Sequence, residues 1–133
     1  MSRPWGPDVS HHQGTVDWRK VKAAGARFAA VKATEGQRGV DTQFARNWPA
    51  MFTAGIRIRI AYHYAHTESD PIVQAQHFVA TVRKAGRIGR GDLLALDAED
   101  VCDASKRIGK TDTARWCKAF LDEVVRLTGL PRK

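Results

Sequence analysis

The chain alternates short apolar runs with longer segments whose apolar residues recur every three or four positions. This alternation of strand and helix patterns is typical of a parallel βαβ architecture. The predicted strands cover residues 6–10, 28–33, 56–64 and 92–97. The predicted helices cover residues 16–24, 42–54, 72–85 and 112–128, and glycines stand where they end. Within the third helix, Val73, Phe78 and Val82 form the predicted buried stripe.

Length limits how these elements can be arranged. A chain of 133 residues, 43% of them hydrophobic, is enough for one domain with a real core. Four βα units are half of an eight-unit barrel of about 250 residues. No internal repeat is visible, and the chain stops where a fifth strand is expected. The sequence therefore predicts an α/β fold that is either a small open parallel sheet or a barrel truncated after about four βα units.

Net charge, the lack of long apolar segments and the cysteine content limit the partners and the cellular location that the sequence predicts. The chain has 22 Lys and Arg against 14 Asp and Glu, a net charge of +8 that favours a polyanionic partner. No apolar run follows the first residues and no segment is long enough to cross a membrane, so we expect no signal peptide, synthesis in a cytoplasm and no membrane insertion. Cys102 and Cys117 are either free thiols or one bridge.

Polar residues cluster where each predicted strand ends. Because the carboxyl ends of parallel strands converge on one crevice, we expect these side chains to line a ligand site. They are, strand by strand, Asp8, His11 and His12; Lys32, Thr34 and Glu35; Tyr62, His63, Tyr64 and His66; and Asp97, Glu99 and Asp100.

The fourth strand delivers two carboxylates two residues apart, Asp97 and Glu99, which point to the same side if the backbone stays extended. Two acids crowded together push their pKa values apart, so that one stays protonated as a general acid while the other is ionised. Cleavage of a glycosidic bond needs this division of roles. The alternative interpretation is a solvated acidic loop that caps a helix.

Four segments, taken in order, resemble the successive motifs of glycoside hydrolase family 25, the Chalaropsis-type lysozymes. They are Asp8-Val9-Ser10-His11-His12-Gln13-Gly14, Val31-Lys32-Ala33-Thr34-Glu35-Gly36 with Asp41 downstream, Ala61-Tyr62-His63-Tyr64 and Leu96-Asp97-Ala98-Glu99. The resemblance implies an irregular, TIM-barrel-like β/α fold. It also implies that residues 1–133 form a single catalytic domain that is incomplete at its C-terminus, because members of the family are longer.

The activity implied by the resemblance is hydrolysis of the β-1,4 bond between N-acetylmuramic acid and N-acetylglucosamine in bacterial peptidoglycan, with retention of configuration and with no metal or cofactor. Glu99 would be the general acid/base. Asp97 would be either the nucleophile or the group that orients the substrate's 2-acetamido oxygen, and Asp8 would support the charge arrangement.

Four further residues are predicted to bind substrate. Tyr62 and Tyr64 offer aromatic faces for sugar stacking, although an aromatic residue at a strand end is as often part of the core. Lys32 and Glu35 either line the floor of the site as a pair or form a structural ion pair.

Two other functions stay open. A catalytically impaired fragment would act only as a wall-binding remnant. A metal-dependent hydrolase would draw its ligands from Asp8, His11, His12, His63, His66 and Asp97. Nucleic-acid binding is not expected, because the basic residues are spread over every helix and acids occupy the crevice. The expected partner is peptidoglycan, with self-association or a complementing C-terminal chain completing the fold. The expected place of action is the bacterial wall, reached after release in the manner of a phage endolysin or by non-classical export.

Overall fold

The computed structural model describes residues 3–99 and 108–132, and Asp100 and Cys102 lie outside them. The strands are β1 (Asp8–Val9), β2 (Phe28–Glu35), β3 (Gly39–Val40), β4 (Ile58–Tyr64) and β5 (Asp92–Asp97). The helices are α1 (Trp18–Ala23), α2 (Phe44–Thr53), α3 (Pro71–Ala85) and α4 (Lys110–Thr128), with one 3₁₀ turn at His11–Gln13.

The sheet follows the order β1-β2-β4-β5, and each neighbouring pair in this path is parallel. These are the four predicted strands, and each predicted helix follows its strand. The predicted α/β class with a parallel sheet is therefore confirmed. Strand β3, a two-residue exposed strand that pairs antiparallel with the end of β2, was not predicted from the sequence.

One face of the sheet carries the core. Side chains that point to this face alternate along each strand and are fully buried, as Ala29 and Val31 in β2 and Ala61 in β4 illustrate. They pack against apolar side chains from all four described helices, among them Trp18, Trp48, Phe78 and Phe120. The opposite face, at the intervening positions of β2 and β4, is only half-buried.

A buried ion pair holds the amino end of the sheet. Arg59 of β4 donates from Nε and Nη2 to the two carboxylate oxygens of Asp92 in β5, at 2.8 and 2.6 Å. Its guanidinium also donates to the backbone oxygens of Trp48, at 2.8 Å, and Arg87, at 3.1 Å. Arg59 thus joins β4, β5, α2 and the loop before β5. Its positive charge is neutralised by the bidentate contact with the Asp92 carboxylate.

Two predictions about the helices were wrong in detail. Helix α4 begins at Lys110 rather than at Asp112, with Gly109 before it and no side-chain cap. In α3, Phe78 and Val82 are buried as predicted, but Val73 is 41% exposed and the adjacent Gln74 is fully buried in its place. A polar side chain occupies the buried position because it has hydrogen-bond partners there.

Two observations bear on the other expectations. None of the helices in the described part of the chain is long and apolar enough to cross a membrane. Cys117 is half-buried without a disulfide partner among the residues 3–99 and 108–132.

Candidate active site

The half-buried face of the sheet carries five of the predicted site residues that lie on strands. Residues paired across parallel strands point to the same face, and Lys32 is paired with Tyr62 in the register of β2 and β4. Tyr64 is paired with Asp97 of β5, and Asp8 with Ala30 of β2. Five predicted residues from four strands therefore share one face near the carboxyl ends of the central strands.

A bulge in β2 brings Glu35 to this face as well. In a regular strand, residues three apart point to opposite faces, which would separate Lys32 from Glu35. The register shifts between Lys32 and Thr34, so that Ala33 and Thr34 are both buried. After the shift Glu35 is paired with Tyr64, and its Oε2 accepts a hydrogen bond from Lys32 Nζ at 2.5 Å.

The two carboxyls at the end of β5 form a hydrogen-bonded pair. Asp97 ends the strand and is half-buried, whereas Glu99 lies beyond it and is exposed. Burial, then the charge of Glu99, the hydrogen bond with it and the charge of Asp8 raise the pKa of Asp97, and Lys32 opposes this rise. The ionised form of Asp97 is therefore disfavoured by its burial and by its acidic neighbours.

Tyr62 lies between the acids of the first, second and fourth units. Burial, followed by the charge of Asp8, a hydrogen bond with Asp8 and the charges of Asp97 and Asp41, raises the pKa of Tyr62 well above its usual range. The Tyr62 hydroxyl therefore stays protonated and donates a hydrogen bond to Asp8. Asp41, whose side chain is fully buried, in turn accepts from the His11 backbone nitrogen and Nδ1 at 2.9 and 2.8 Å.

Four charged or ionisable side chains, Lys32, Glu35, His66 and Glu68, are connected in a row on the same side of the sheet. Glu35 accepts from Lys32 and its Oε1 lies 2.8 Å from His66 Nε2, while His66 Nδ1 lies 3.1 Å from Glu68 Oε1. Partial burial acts to raise the pKa of Glu35, but the hydrogen bonds and charges of Lys32 and His66 outweigh it and lower the pKa. The Lys32 ammonium also lies 5.0 Å from the centre of the Tyr64 ring.

His63 is not part of this site. It lies on the opposite, helix-covered face of β4, fully buried, with Thr34 Oγ1 at 2.7 Å from Nδ1 and Gln74 Oε1 at 2.8 Å from Nε2. Burial lowers the pKa of His63 to about 4, so the ring is neutral at ordinary pH. His63 is thus separated from the other residues considered as metal ligands, and the described ranges contain no group of three or more His, Cys, Asp or Glu side chains that could hold a metal ion.

Sequence reasoning missed two residues that shape the site. Gln74 accepts from the His66 backbone nitrogen at 3.1 Å and donates to the His66 oxygen at 2.8 Å, which fixes the loop that carries His66. The position of Gln74, four residues before Phe78 and so on the buried side of the predicted helix, could have indicated a buried polar contact. Glu68 had none, because an acidic residue before a helix is ordinarily solvated.

The fold and this site define a class. A parallel α/β sheet whose strand ends present a hydrogen-bonded carboxyl pair, with a third carboxylate and tyrosines on the same face, has the groups that glycoside hydrolases use. The profile of the family described as Glycosyl hydrolases family 25 matches residues 7–131. The chain belongs to this family, as the four motifs had predicted.

Known proteins similar to the chain agree with this assignment. Lysozyme M1 of Streptomyces globisporus is 46% identical over 76 residues, which is 56% of this chain and 26% of that protein. The N,O-diacetylmuramidase of Chalaropsis sp is 33% identical over 131 residues, 93% of this chain and 61% of that protein. The bacterial lysozyme from Streptomyces coelicolor superposes with a TM-score of 0.84 at 32% identity, over 97% of this chain and 60% of that chain. The chain thus spans less than two thirds of the length of each.

Proposed function

We propose that this protein is a muramidase that hydrolyses the β-1,4 bond between N-acetylmuramic acid and N-acetylglucosamine in peptidoglycan. The observation that carries the proposal is the hydrogen-bonded pair of Asp97 and Glu99 on the face that also holds Asp8. Two of the similar proteins are a lysozyme and an N,O-diacetylmuramidase. The bacterial cell wall is accordingly the proposed place of action.

Glu99 is the proposed general acid/base. Its carboxyl is exposed beyond the end of β5, beside Asp97, where its protonated form can reach the oxygen of the bond to be cleaved. The proton passes to the leaving sugar as the glycosidic bond breaks. Glu99, then ionised, takes a proton from the water that completes hydrolysis.

Asp97 is the proposed second carboxylate, and Asp8 supports it. Once Glu99 has donated the proton, Asp97 is the half-buried carboxylate nearest the developing positive charge on the sugar ring. It acts either as the nucleophile or through the substrate's 2-acetamido oxygen. Lys32 favours its ionised form, because the ammonium charge lowers the pKa of Asp97 against the other influences.

The substrate would lie across the same face. Tyr62, with its hydroxyl directed to Asp8, and Tyr64, with Lys32 over its ring, are half-buried rather than in the core, which favours a role in sugar binding. Glu35 and Lys32 form one charged unit that can donate to and accept from sugar hydroxyls. We infer that these four residues position the saccharide above the acids.

The test is release of reducing ends from purified peptidoglycan by the wild type and the Glu99→Gln variant. The variant keeps the side-chain size but loses the transferable proton, so we expect a loss of roughly 10²-fold or more. Asp112→Asn, an exposed change of the same type in the first turn of α4, serves as control and should keep full activity. A folded wild type that binds peptidoglycan but releases no reducing ends at any pH contradicts hydrolysis and favours the wall-binding remnant.

We also propose that the open face of the sheet associates with a second polypeptide, either another copy or a chain that supplies further strands. All helices in the described ranges pack on the other face, and this one carries half-buried apolar side chains along three strands, namely Phe28, Ala30, Ile60, Leu93 and Ala95. Sedimentation velocity tests self-association. A single monomeric species across a wide concentration range would exclude it.

A further inference from the structure

An open cavity of about 590 Å³ lies at the amino end of the sheet, away from the acids. Its walls come from three segments: the residues before β1, the end of α1 and the residue before β2. The Arg27 backbone nitrogen donates to the Trp5 oxygen at 2.9 Å, which places both directly ahead of the strands. The lining residues are Arg3, Pro4, Trp5, Lys22, Ala24, Gly25 and Arg27.

Every ionisable side chain that lines this cavity is a cation. Arg3, Lys22 and Arg27 are all exposed, and none of the three forms an ion pair with any residue in the described ranges. Three like charges around one concave surface repel each other, and an anion bound between them would relieve that repulsion.

Trp5 adds a neutral donor to the same wall. Its side chain is 47% exposed, and its indole N–H has no acceptor within the described part of the chain. The Nε1 atom lies over Gly25, where a Cβ would be 3.8 Å away, and Gly25 has a φ of +96° that favours glycine. Gly6 anchors the segment, since a Cβ there would lie 2.1 Å from the Phe28 oxygen. The polar side chains of this wall, those of Arg3, Trp5, Lys22 and Arg27, are therefore all hydrogen-bond donors.

We propose that this cavity binds the phosphodiester groups of an anionic polymer of the bacterial wall, with poly(glycerol phosphate) as the simplest example. The phosphate chemistry follows from three cations and a free N–H around a volume within the usual range of ligand pockets, about 300–1,000 Å³. The choice of the wall as its source rests on the proposed function. A nucleic acid fits less well, because one exposed aromatic ring offers no row of surfaces for successive bases.

Such a site would hold the protein on the wall from the end opposite to its acids. Repeated phosphates along one polymer allow release and rebinding at the next unit, so attachment would not fix the molecule in one place. The net charge of +8 adds a long-range attraction of the same sign. Polymer binding and sugar cleavage would then use two separate surfaces of one molecule.

The test measures the Kd of fluorescent poly(glycerol phosphate) by anisotropy at fixed ionic strength. We expect the double variant Lys22→Gln and Arg27→Gln to bind about tenfold more weakly, through the loss of two charged hydrogen-bond donors. The matched control, Lys84→Gln with Arg90→Gln, removes the same charge from exposed positions outside the cavity and should change the Kd little. Circular dichroism verifies that both variants fold.

Several outcomes would overturn the proposal. Equal weakening in both double variants would mean that only net charge matters. Single-stranded DNA with the same number of phosphates that binds more tightly, with the same dependence on Lys22 and Arg27, would assign the cavity to nucleic acid. Glu99→Gln should bind the polymer like the wild type; a wild type that cleaves peptidoglycan but does not bind the polymer refutes this inference alone.

Discussion

At the scale of single residues, the site holds two carboxyls whose pKa values move in opposite directions on one sheet face. Asp97 is half-buried beside two other acids, which raises its pKa, whereas Glu35 is held between Lys32 and His66, which lowers its pKa. Burial acts to raise both pKa values, and the neighbouring charges decide the direction in which each pKa finally moves. The stability of the fold should respond to pH in opposite senses at the two positions.

Asp97→Asn should stabilise the fold at about pH 7. A raised pKa means that the ionised carboxylate is disfavoured in the folded state, and this penalty is present above the folded pKa and absent below the unfolded value of about 3.9. The amide removes it, which we expect to add a few tenths to about 1 kcal/mol, since Asp97 is partly solvated. Urea unfolding at about pH 7 and pH 3 measures the gain, which should vanish at the lower pH. A loss of stability at neutral pH would contradict the assigned repulsion.

Glu35→Gln should have the opposite effect. A lowered pKa stabilises the fold above the unfolded value of about 4.3, and that contribution is lost as the pH falls through the folded pKa. Because the side chain is 40% exposed, we expect a loss of no more than about 1 kcal/mol near neutral pH and none in acid. The same urea series measures it, with Glu68→Gln as the matched change on the other side of His66. An equal loss at both pH values would show that shape, not charge, is responsible.

At the scale of elements, the start of α3 and the end of β4 are locked together by one amide. Gln74 Oε1 accepts from His63 Nε2 and from the His66 backbone, and its Nε2 donates to the His66 oxygen and to Ser69 Oγ, both at 2.8 Å. His63 must therefore carry its proton on Nε2 and accept from Thr34 at Nδ1. The loop that presents His66 to Glu35 depends on this buried amide.

Gln74→Ala should destabilise the fold by about 2–4 kcal/mol, because it leaves buried donors and acceptors without partners and opens a cavity. Gln76→Ala, an exposed change two residues along the same helix, should cost less than about 1 kcal/mol. Both follow from chemical denaturation. Nearly equal losses would mean that the amide network does not stabilise the loop.

Elements also show where prediction from sequence succeeded. Strands and helices were predicted at their observed places because their periods of two and about 3.6 are local properties of the chain. The bulge between Lys32 and Thr34 was not predicted, because the local sequence of β2 does not show where its register against β4 shifts. The buried Gln74 escaped for a related reason: its partners lie in other elements, and only their positions make a polar side chain acceptable there.

At the scale of the whole molecule, Arg59 joins β4, β5, α2 and the loop before β5 through a buried bidentate pair with Asp92. Arg59→Met should cost about 3–5 kcal/mol, since it leaves Asp92 buried and without its charged partner. The double change Arg59→Met with Asp92→Leu should restore part of that loss, because no lone charge remains. Equilibrium unfolding measures both.

The control for this prediction is Arg57→Met. Arg57 is exposed, with its guanidinium 4.6 Å from the centre of the Phe52 ring, so its removal should change stability by less than about 0.5 kcal/mol. A double variant no more stable than Arg59→Met alone would show that packing at Arg59, rather than its charge, joins these elements.

The sequence by itself determined the order of strands and helices, the family, and the presence of acids at the strand ends, because each of these is recorded in local pattern and motif. Only the tertiary structure decided which of these groups meet. His63 and Tyr64 are neighbours in sequence, yet one is buried under helices and the other lies beside Lys32 on the open face. The physical reason is that side-chain direction alternates along a strand, while register, bulges and the placement of helices are set by packing between distant segments.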